Sequence, residues 1–147
     1  VMFQMMNEAR LGVGLQSLAA ASIAYLHALK YAKERYQFGK RIGEFGAIQG
    51  FLADMATRVE AARLLILRAS SLRAQKKPHA REAAMAKLFA SETAVEAARI
   101  GLQIHGGYGY SKAYPIERYY RDAKVCEIYE GTSEVQRIVI ARSLIKK

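Results

Sequence analysis

A glutamate-containing segment near residue 130 holds the residues whose types and spacing are best suited to chemistry. Glu130 stands directly before Gly131, and a helix is predicted to begin near Ser133. A carboxylate on a rigid turn can act as a general base, above all where it is buried beside a side chain such as Tyr129. Alternatively, Glu127 and Glu130 could merely favour the positive end of the following helix. Taken alone, the segment favours the second interpretation.

Other kinds of reactive site find little support in the sequence. The three histidines and the single cysteine are far apart and lack the spacing of metal ligands: His27, His79, His105 and Cys126. We therefore expect no metal site, and one cysteine cannot form a disulfide within the chain. The segment from Gly107 to Gly109 is not a dinucleotide-binding fingerprint, because no predicted strand precedes it.

The charge balance is basic. Lysine and arginine number 23 and aspartate and glutamate 13, which gives a formal charge of +10. Such a balance suits nucleic acid, a membrane surface, an anionic cofactor or an acidic partner. The basic residues are scattered, so we interpret them first as a solvated surface and expect no nucleic acid. A non-enzymatic helical binding module, which could still bind nucleic acid, remains as an alternative that a salt-dependent gel shift would test.

The positions that carry such residues must be held by helices. Apolar residues recur at spacings of three and four, and only two prolines interrupt the chain. The predicted helices are Phe3–Lys33, Ala47–Ala74, Ala80–Ile104, a short one at Ile116–Ala123, and a last one from Ser133. Short connections between long helices predict one all-α domain over residues 1–147, an antiparallel four-helix bundle.

The sequence also predicts the buried face of the first helix, the environment of its uncharged stretch and the start of the last helix. The inner face of the first helix is predicted to include Leu11, Leu15 and Leu18. Its uncharged stretch from residue 11 to residue 29 is long enough to span a bilayer, but polar residues and alanines interrupt it. We therefore expect a largely buried helix and no membrane span. The spacing of Ser133 and Gln136 predicts a capping box at the start of the last helix.

Several short motifs together resemble one family. They are Glu34–Arg35 with Phe38–Lys40, Leu52–Met55, Gln103–Tyr110, Arg121–Lys124 and Tyr129–Thr132. In order and spacing they resemble the C-terminal domain of the flavin-dependent acyl-CoA dehydrogenases, and the resemblance runs from Asn7 to Leu144. Each motif alone is weak, but their succession along a helical chain is specific. The resemblance implies that the chain is the C-terminal part of a longer flavoenzyme.

The resemblance also implies a substrate site. Glu130 matches the catalytic base of the family, and Tyr129 and Gly131 match residues that line the thioester site. Arg10 lies near the position of an arginine behind the catalytic carboxylate. Some members instead place the base on the first helix, at the position that Ala9 occupies here. Glu8 is one residue away and would point about a quarter-turn aside, so Glu130 is favoured as the only base.

FAD is the cofactor that the resemblance implies, and the matching residues form two groups. The residues that match contacts to the FAD of a neighbouring subunit are Arg35, Gln37, Phe38, Gln103, His105, Gly106 and Gly107. The residues that match contacts to the subunit's own FAD are Thr132 and Glu134. A cofactor shared between subunits implies a homodimer or homotetramer.

The implied reaction is the α,β-dehydrogenation of an acyl-CoA thioester. Glu130 would remove the α-proton while the flavin accepts the β-hydride, and an electron-transfer flavoprotein would take the electrons. A related oxidase would use the same base and differ only in passing the electrons to oxygen. The family occurs in the bacterial cytoplasm or the mitochondrial matrix, which gives the expected location.

Overall fold

Helices make up most of the chain. The computed structural model describes the backbone of residues 2–145 and the side chains of residues 5–145. Its elements are α1 (Met2–Glu34), β1 (Tyr36–Gln37), β2 (Lys40–Arg41), a 3-10 turn (Ile42–Glu44), α2 (Gly46–Ala74), α3 (Ala80–His105), α4 (Gly107–Tyr110), α5 (Ile116–Val125) and α6 (Ser133–Ile145).

Helix α3 lies at the centre and contacts α1, α2, α5 and α6. The predicted all-helical class is therefore confirmed, and the four long predicted helices correspond to α1, α2, α3 and α6. The predicted short helix corresponds to α5, and α4 was not predicted, so residues 2–145 contain six helices rather than a bundle of four. These two short helices continue the packing around the end of α3.

Small side chains form the contact between α1 and α3. Along α1, Ala21, Ala24, Ala28 and Ala32 are completely buried. Alanines of α3 that are also completely buried are Ala83, Ala84, Ala86, Ala90 and Ala94. Alanine at spacings of three and four allows two helix backbones to approach closely while each helix keeps its propensity. The predicted inner face of α1 was partly wrong, because Leu11 and Leu18 are buried but Leu15 is 59% exposed.

Helix α2 presents larger side chains to the same core. Its buried residues are Met55, Val59, Ala62, Ile66 and Ala69, and all five belong to the apolar pattern visible in the sequence. Repeats of three and four place them on one face. That face packs on α3 and on α1.

A two-stranded hairpin joins α1 to α2. Tyr36 pairs with Arg41 and Gln37 with Lys40. The two turn residues, Phe38 and Gly39, have φ of 53° and 78°, as a tight hairpin turn requires. The sequence predicted only a loop here, because strands of two residues carry no periodic signal.

By length and composition α1 could cross a membrane, over Met5–Glu34. The bundle buries 44% of its most apolar window, so the expectation of a largely buried helix was only partly right. The fully buried alanines lie against α3, and the apolar residues that remain exposed include Leu15, Ile23 and Leu26.

Candidate active site and cofactor cleft

The predicted base lies on an unusual turn between α5 and α6. Glu130 has φ of 54° and Gly131 φ of 91°. A non-glycine residue in the left-handed region costs about 1–3 kcal/mol and persists only where its surroundings over-determine it. The side chain of Glu130 is exposed. The expectation that it is buried beside Tyr129 was therefore wrong, because residues 5–145 leave this side chain open to solvent.

Thr132, rather than Ser133, caps α6. The hydroxyl of Thr132 accepts a hydrogen bond from the N–H of Val135 at 3.4 Å, and its carbonyl accepts one from the N–H of Gln136. Ser133 is already the first helical residue, and its buried Oγ has no partner. The predicted capping box was therefore wrong: the N-cap is Thr132, and the residue three positions later, Val135, has no side chain that could complete a box. This shift frees the Gln136 side chain for another role.

Two buried side chains hold the carbonyl groups of the turn. Gln136 Nε2 donates hydrogen bonds to the carbonyl oxygens of Glu130 at 3.2 Å and Gly131 at 2.9 Å. Lys87 Nζ, which reaches across from α3, donates to the oxygen of Gly131 at 2.8 Å. Both side chains are completely buried. The sequence does not predict this role for Lys87, because a lone lysine in a helix is normally exposed and its neighbours in the sequence do not indicate otherwise.

Arg10 lies in the neighbourhood that the sequence predicted. Its guanidinium is buried, and Nη1 donates to Oδ1 of Asn7 at 2.9 Å. Its Nε is buried with no partner. Burial lowers the pKa of Arg10, and the negative charge of Glu130 partly offsets that effect. The structure therefore brings Arg10 and Glu130 within electrostatic range of each other across α1 and the turn.

Tyr129 fastens the same turn to α1. Its hydroxyl donates to Oε1 of Gln16 at 2.5 Å and lies 3.9 Å from the sulfur of Cys126. Burial raises the pKa of Tyr129, and the contact with Cys126 adds to that effect. The phenol therefore remains protonated and able to donate to Gln16.

The carboxylate next to the alternative base position at Ala9 belongs to Glu8, which pairs with a residue of α2. Glu8 is exposed, and its Oε1 accepts a hydrogen bond at 2.9 Å from the guanidinium of Arg73 on α2. This ion pair directs the carboxylate toward the end of the bundle that holds the α2–α3 connection.

A cleft of about 620 Å³ lies at the junction of α1, the hairpin and the end of α3. It gathers five of the predicted cofactor residues: Arg35, Gln37, His105, Gly106 and Gly107. The His105 ring stacks on Tyr31 with 4.2 Å between centroids, and the Arg35 guanidinium lies over the ring of Tyr108. An aromatic wall beside a guanidinium suits a ligand with a flat ring and phosphates.

His105 presents a defined face to this cleft. Its Nδ1 lies 2.7 Å from the carbonyl oxygen of Gly101, so Nδ1 carries the hydrogen and donates it. Burial lowers the pKa of His105, which the bond to Gly101 partly offsets. A neutral imidazole that donates through Nδ1 keeps Nε2 as a hydrogen-bond acceptor.

The remaining predicted residues lie outside the lining of the cleft. Phe38 is 92% exposed at the tip of the hairpin, and Gln103 is exposed on α3. Thr132 and Glu134 instead line a small groove beside the Glu130 turn. Phe38 combines a left-handed backbone conformation, which is uncommon for a bulky residue, with an almost fully solvent-exposed aromatic ring. These features are typical of a residue that contacts a partner or a ligand.

The cleft and the Glu130 turn lie toward opposite ends of α1. Tyr31 lines the cleft and Arg10 lies near Glu130, and 21 residues separate them. At 1.5 Å per helical residue they are roughly 30 Å apart. The two groups of predicted cofactor residues therefore lie at separate surfaces of the chain.

Comparison with known protein families gives a match over nearly the whole chain. The family described as "Acyl-CoA dehydrogenase, C-terminal domain" matches residues 1–145. The chain belongs to this family.

Related acyl-CoA dehydrogenase sequences and structures extend over the whole domain. The chain is 56% identical to the caffeyl-CoA reductase-Etf complex subunit CarC of Acetobacterium woodii, over 94% of this chain and 36% of that protein. It is 49% identical to the mitochondrial short-chain specific acyl-CoA dehydrogenase of Bos taurus, over 99% of this chain and 35% of that protein. The structure of butyryl-CoA dehydrogenase from Megasphaera elsdenii superposes with a TM-score of 0.96 at 42% identity, covering 98% of this chain and 38% of that one.

This chain therefore spans little more than a third of the length of these relatives. The predicted family and the predicted helical class are confirmed. The roles of individual site residues remain predictions.

Proposed function

We propose that this chain is the C-terminal part of a longer FAD-dependent enzyme that oxidises acyl-CoA thioesters at the α,β-bond, with Glu130 as the general base. The observation that carries the proposal is the Glu130 turn. An exposed carboxylate stands on a left-handed residue whose carbonyl is held from beneath by a buried side chain. Such strain is found at functional sites. A carboxylate that only stabilised the N-terminus of α6 would not require a strained backbone.

The chain supplies the proton-transfer part of the reaction. Glu130 removes the α-proton of the substrate. Within residues 2–145 no acceptor is bonded to the N–H of Glu130, so this group is free to donate to the thioester carbonyl. Donation there stabilises the charge that develops as the proton leaves. Arg10, on which the charge of Glu130 acts, would contribute positive charge to the carboxylate, and Tyr129 and Gly131 would line the thioester site.

The residues of the cleft fit part of an FAD molecule. Arg35 offers a cation for phosphate, and the buried, stacked rings of Tyr31 and His105 border the cleft. Phe38 and Gln103 would extend this contact from the rim. Thr132 and Glu134 would contact a second FAD beside the Glu130 turn. When bound, the flavin accepts the hydride from the β-carbon.

Two separated half-sites support an oligomer. Because the cleft and the groove beside the Glu130 turn are separate, the cleft would serve the FAD of a neighbouring subunit in a homodimer or homotetramer. The electrons would leave through an electron-transfer flavoprotein; the Acetobacterium relative is named as a subunit of a complex with Etf. We expect the enzyme in the bacterial cytoplasm or the mitochondrial matrix, since such proteins are among the relatives.

The reverse reaction, reduction of an α,β-unsaturated acyl-CoA, is a second candidate function. The Acetobacterium relative is named a reductase, and the bovine one a dehydrogenase. The same base serves both directions, because the group that removes the α-proton returns it in the reverse reaction. An oxidase differs only in passing electrons to oxygen.

The proposal is tested with the full-length protein that contains this chain. Butyryl-CoA added under nitrogen is expected to bleach the flavin absorbance, and crotonyl-CoA added to the reduced protein is expected to restore it. A parallel measurement of oxygen uptake with an oxygen electrode distinguishes the two activities, because an oxidase consumes oxygen during turnover and a dehydrogenase does not. A flavin-loaded protein that responds to neither thioester, nor to a panel of longer and aryl-substituted ones, would refute the proposed activity.

The 147-residue chain alone is expected to behave differently. It carries the base and only parts of the cofactor site, and a partial site encloses a ligand poorly. We expect it to fold and self-associate, because its exposed apolar residues on α1 and α6 offer an interface, yet to contain no flavin and to have no activity. Gel filtration with light scattering and an absorption spectrum measure both properties. A strict monomer, or a stoichiometric flavin band, would contradict this expectation.

A further inference from the structure

Lys87 is a completely buried lysine on α3 whose hydrogen bond goes to a single backbone atom. Nζ donates to the carbonyl oxygen of Gly131 at 2.8 Å. No aspartate or glutamate among residues 5–145 forms an ion pair with it. Removing a lysine from water is costly unless the site compensates. An apolar side chain of similar length would fill the same space without that cost.

The electrostatic surroundings of Lys87 do not offer a simple structural reason for it. Burial lowers the pKa of its amine. Cys126, Glu127 and Glu134 oppose that effect at a distance, whereas the positive charge of Arg10 adds to it. Two buried basic side chains therefore approach the same turn from α1 and α3. Two buried positive charges near one another do not stabilise the fold. The effect of Lys87 is therefore expected at the turn that it contacts.

The position of the contact in the chain gives that consequence. Gln136 and Lys87 together hold the carbonyl groups of two consecutive residues, Glu130 and Gly131. These peptide units are trans, so each has its C=O and its following N–H in opposite directions. With the carbonyls drawn inward, the N–H groups of Gly131 and Thr132 face away from α3. The two peptide planes that follow the Cα of Glu130 are thereby fixed.

We propose that Lys87 is a positioning residue for the base: by its bond to Gly131 it holds the left-handed turn and so sets the direction of the Glu130 carboxylate. This inference rests on the proposed function for its catalytic consequence, though not for its structural one. Gln136 also donates to the oxygen of Gly131. Without Lys87 that oxygen still accepts a hydrogen bond from Gln136. The substitution is therefore expected to loosen the conformation of the turn rather than to prevent folding.

The test replaces Lys87 with methionine, which has similar length and no donor. In the full-length protein we expect the melting temperature to stay the same or rise, because a buried amine is exchanged for an apolar group. Turnover per bound flavin is expected to fall by about 10- to 100-fold with little change in KM. A displacement of a catalytic group by about 1 Å can lower the reaction rate about 10²-fold. Lys77→Met, at an exposed lysine in the α2–α3 connection, is the matched control and should change neither quantity.

A second measurement does not depend on activity. The N–H of Ser133 is bonded to the carbonyl of Glu127 and closes the loop that contains the turn. Hydrogen exchange of the peptide that covers residues 127–136 is expected to accelerate at least tenfold in Lys87→Met, while α3 peptides keep their rates. Gln136→Met removes the other donor and should have the same effect on the same peptide.

The outcomes separate this inference from the proposed function. A wild-type protein without turnover refutes the activity, and the exchange data still decide whether Lys87 holds the turn. A Lys87→Met protein that unfolds, or that loses turnover only in proportion to lost flavin, shows a structural lysine and overturns the proposal. Unchanged exchange, or faster exchange with full turnover, overturns it as well.

Discussion

Glu130→Gln is expected to lower turnover by several orders of magnitude while the full-length protein keeps its flavin. Glutamine has the same size and leaves the Gln136 and Lys87 bonds to the backbone of the turn intact, because these use carbonyl oxygens only. Loss of a general base alone typically costs about 10²–10⁴-fold. Loss of the obligatory proton acceptor should exceed that. Anaerobic single-turnover reduction of the flavin by butyryl-CoA measures the step directly.

The matched control is the other carboxylate near the alternative base position. Glu8→Gln removes only an exposed ion pair with Arg73, which contributes about 0–1 kcal/mol to stability. We expect it to leave turnover unchanged. Retention of more than about a tenth of wild-type turnover in Glu130→Gln would contradict the assignment, because a general base is worth at least 10²-fold. If Glu8→Gln then abolished the remaining activity, the base would lie on α1.

The sequence predicted some helices well and others less accurately, and the difference lies in side-chain size. On α2 the buried residues include Met55, Val59 and Ile66, and their large apolar side chains repeat at helical spacing. The α1–α3 contact instead uses alanines, which also occur on exposed helix faces because of their high propensity. Their burial follows from the approach of two helices that are distant in sequence. Leu15 was therefore placed on the wrong face of α1.

At the site, the sequence identified residues by motif and missed those that act through the backbone. Glu130, Arg10 and most of the cleft residues were found because their order along the chain resembles a known family. Lys87 lies 44 residues before Gly131, to which it donates, and side-chain bonds to a distant backbone atom leave no local pattern. The cap at Thr132 was missed for a different reason. Two adjacent hydroxyl residues are equally suited to capping, and only the backbone geometry selects between them.

Gly109→Ala should be the substitution that most strongly destabilises the cleft. A Cβ there would lie 2.6 Å from the carbonyl oxygen of Leu102 and 2.8 Å from the Cβ of His105. One of these atoms belongs to the backbone of α3 and cannot rotate away, so α4 must move off the end of α3. Overpacking of this kind typically costs about 1–3 kcal/mol. For a chain of this size each kcal/mol lowers the melting temperature by about 2–4 °C.

Gly107→Ala provides the matched control for this prediction within the same short helix. A Cβ at residue 107 would meet no atom within 4 Å, and Gly107 does not have a positive φ. Alanine should therefore leave stability unchanged or raise it slightly, because it restricts the unfolded chain. Thermal unfolding of the 147-residue chain, followed by circular dichroism at about 222 nm where helical backbone absorbs, compares the two variants directly. Equal melting temperatures for Gly107→Ala and Gly109→Ala would show that α4 does not pack on Leu102 and His105 as described. The wall of the cleft that α4 forms would then have to be placed differently.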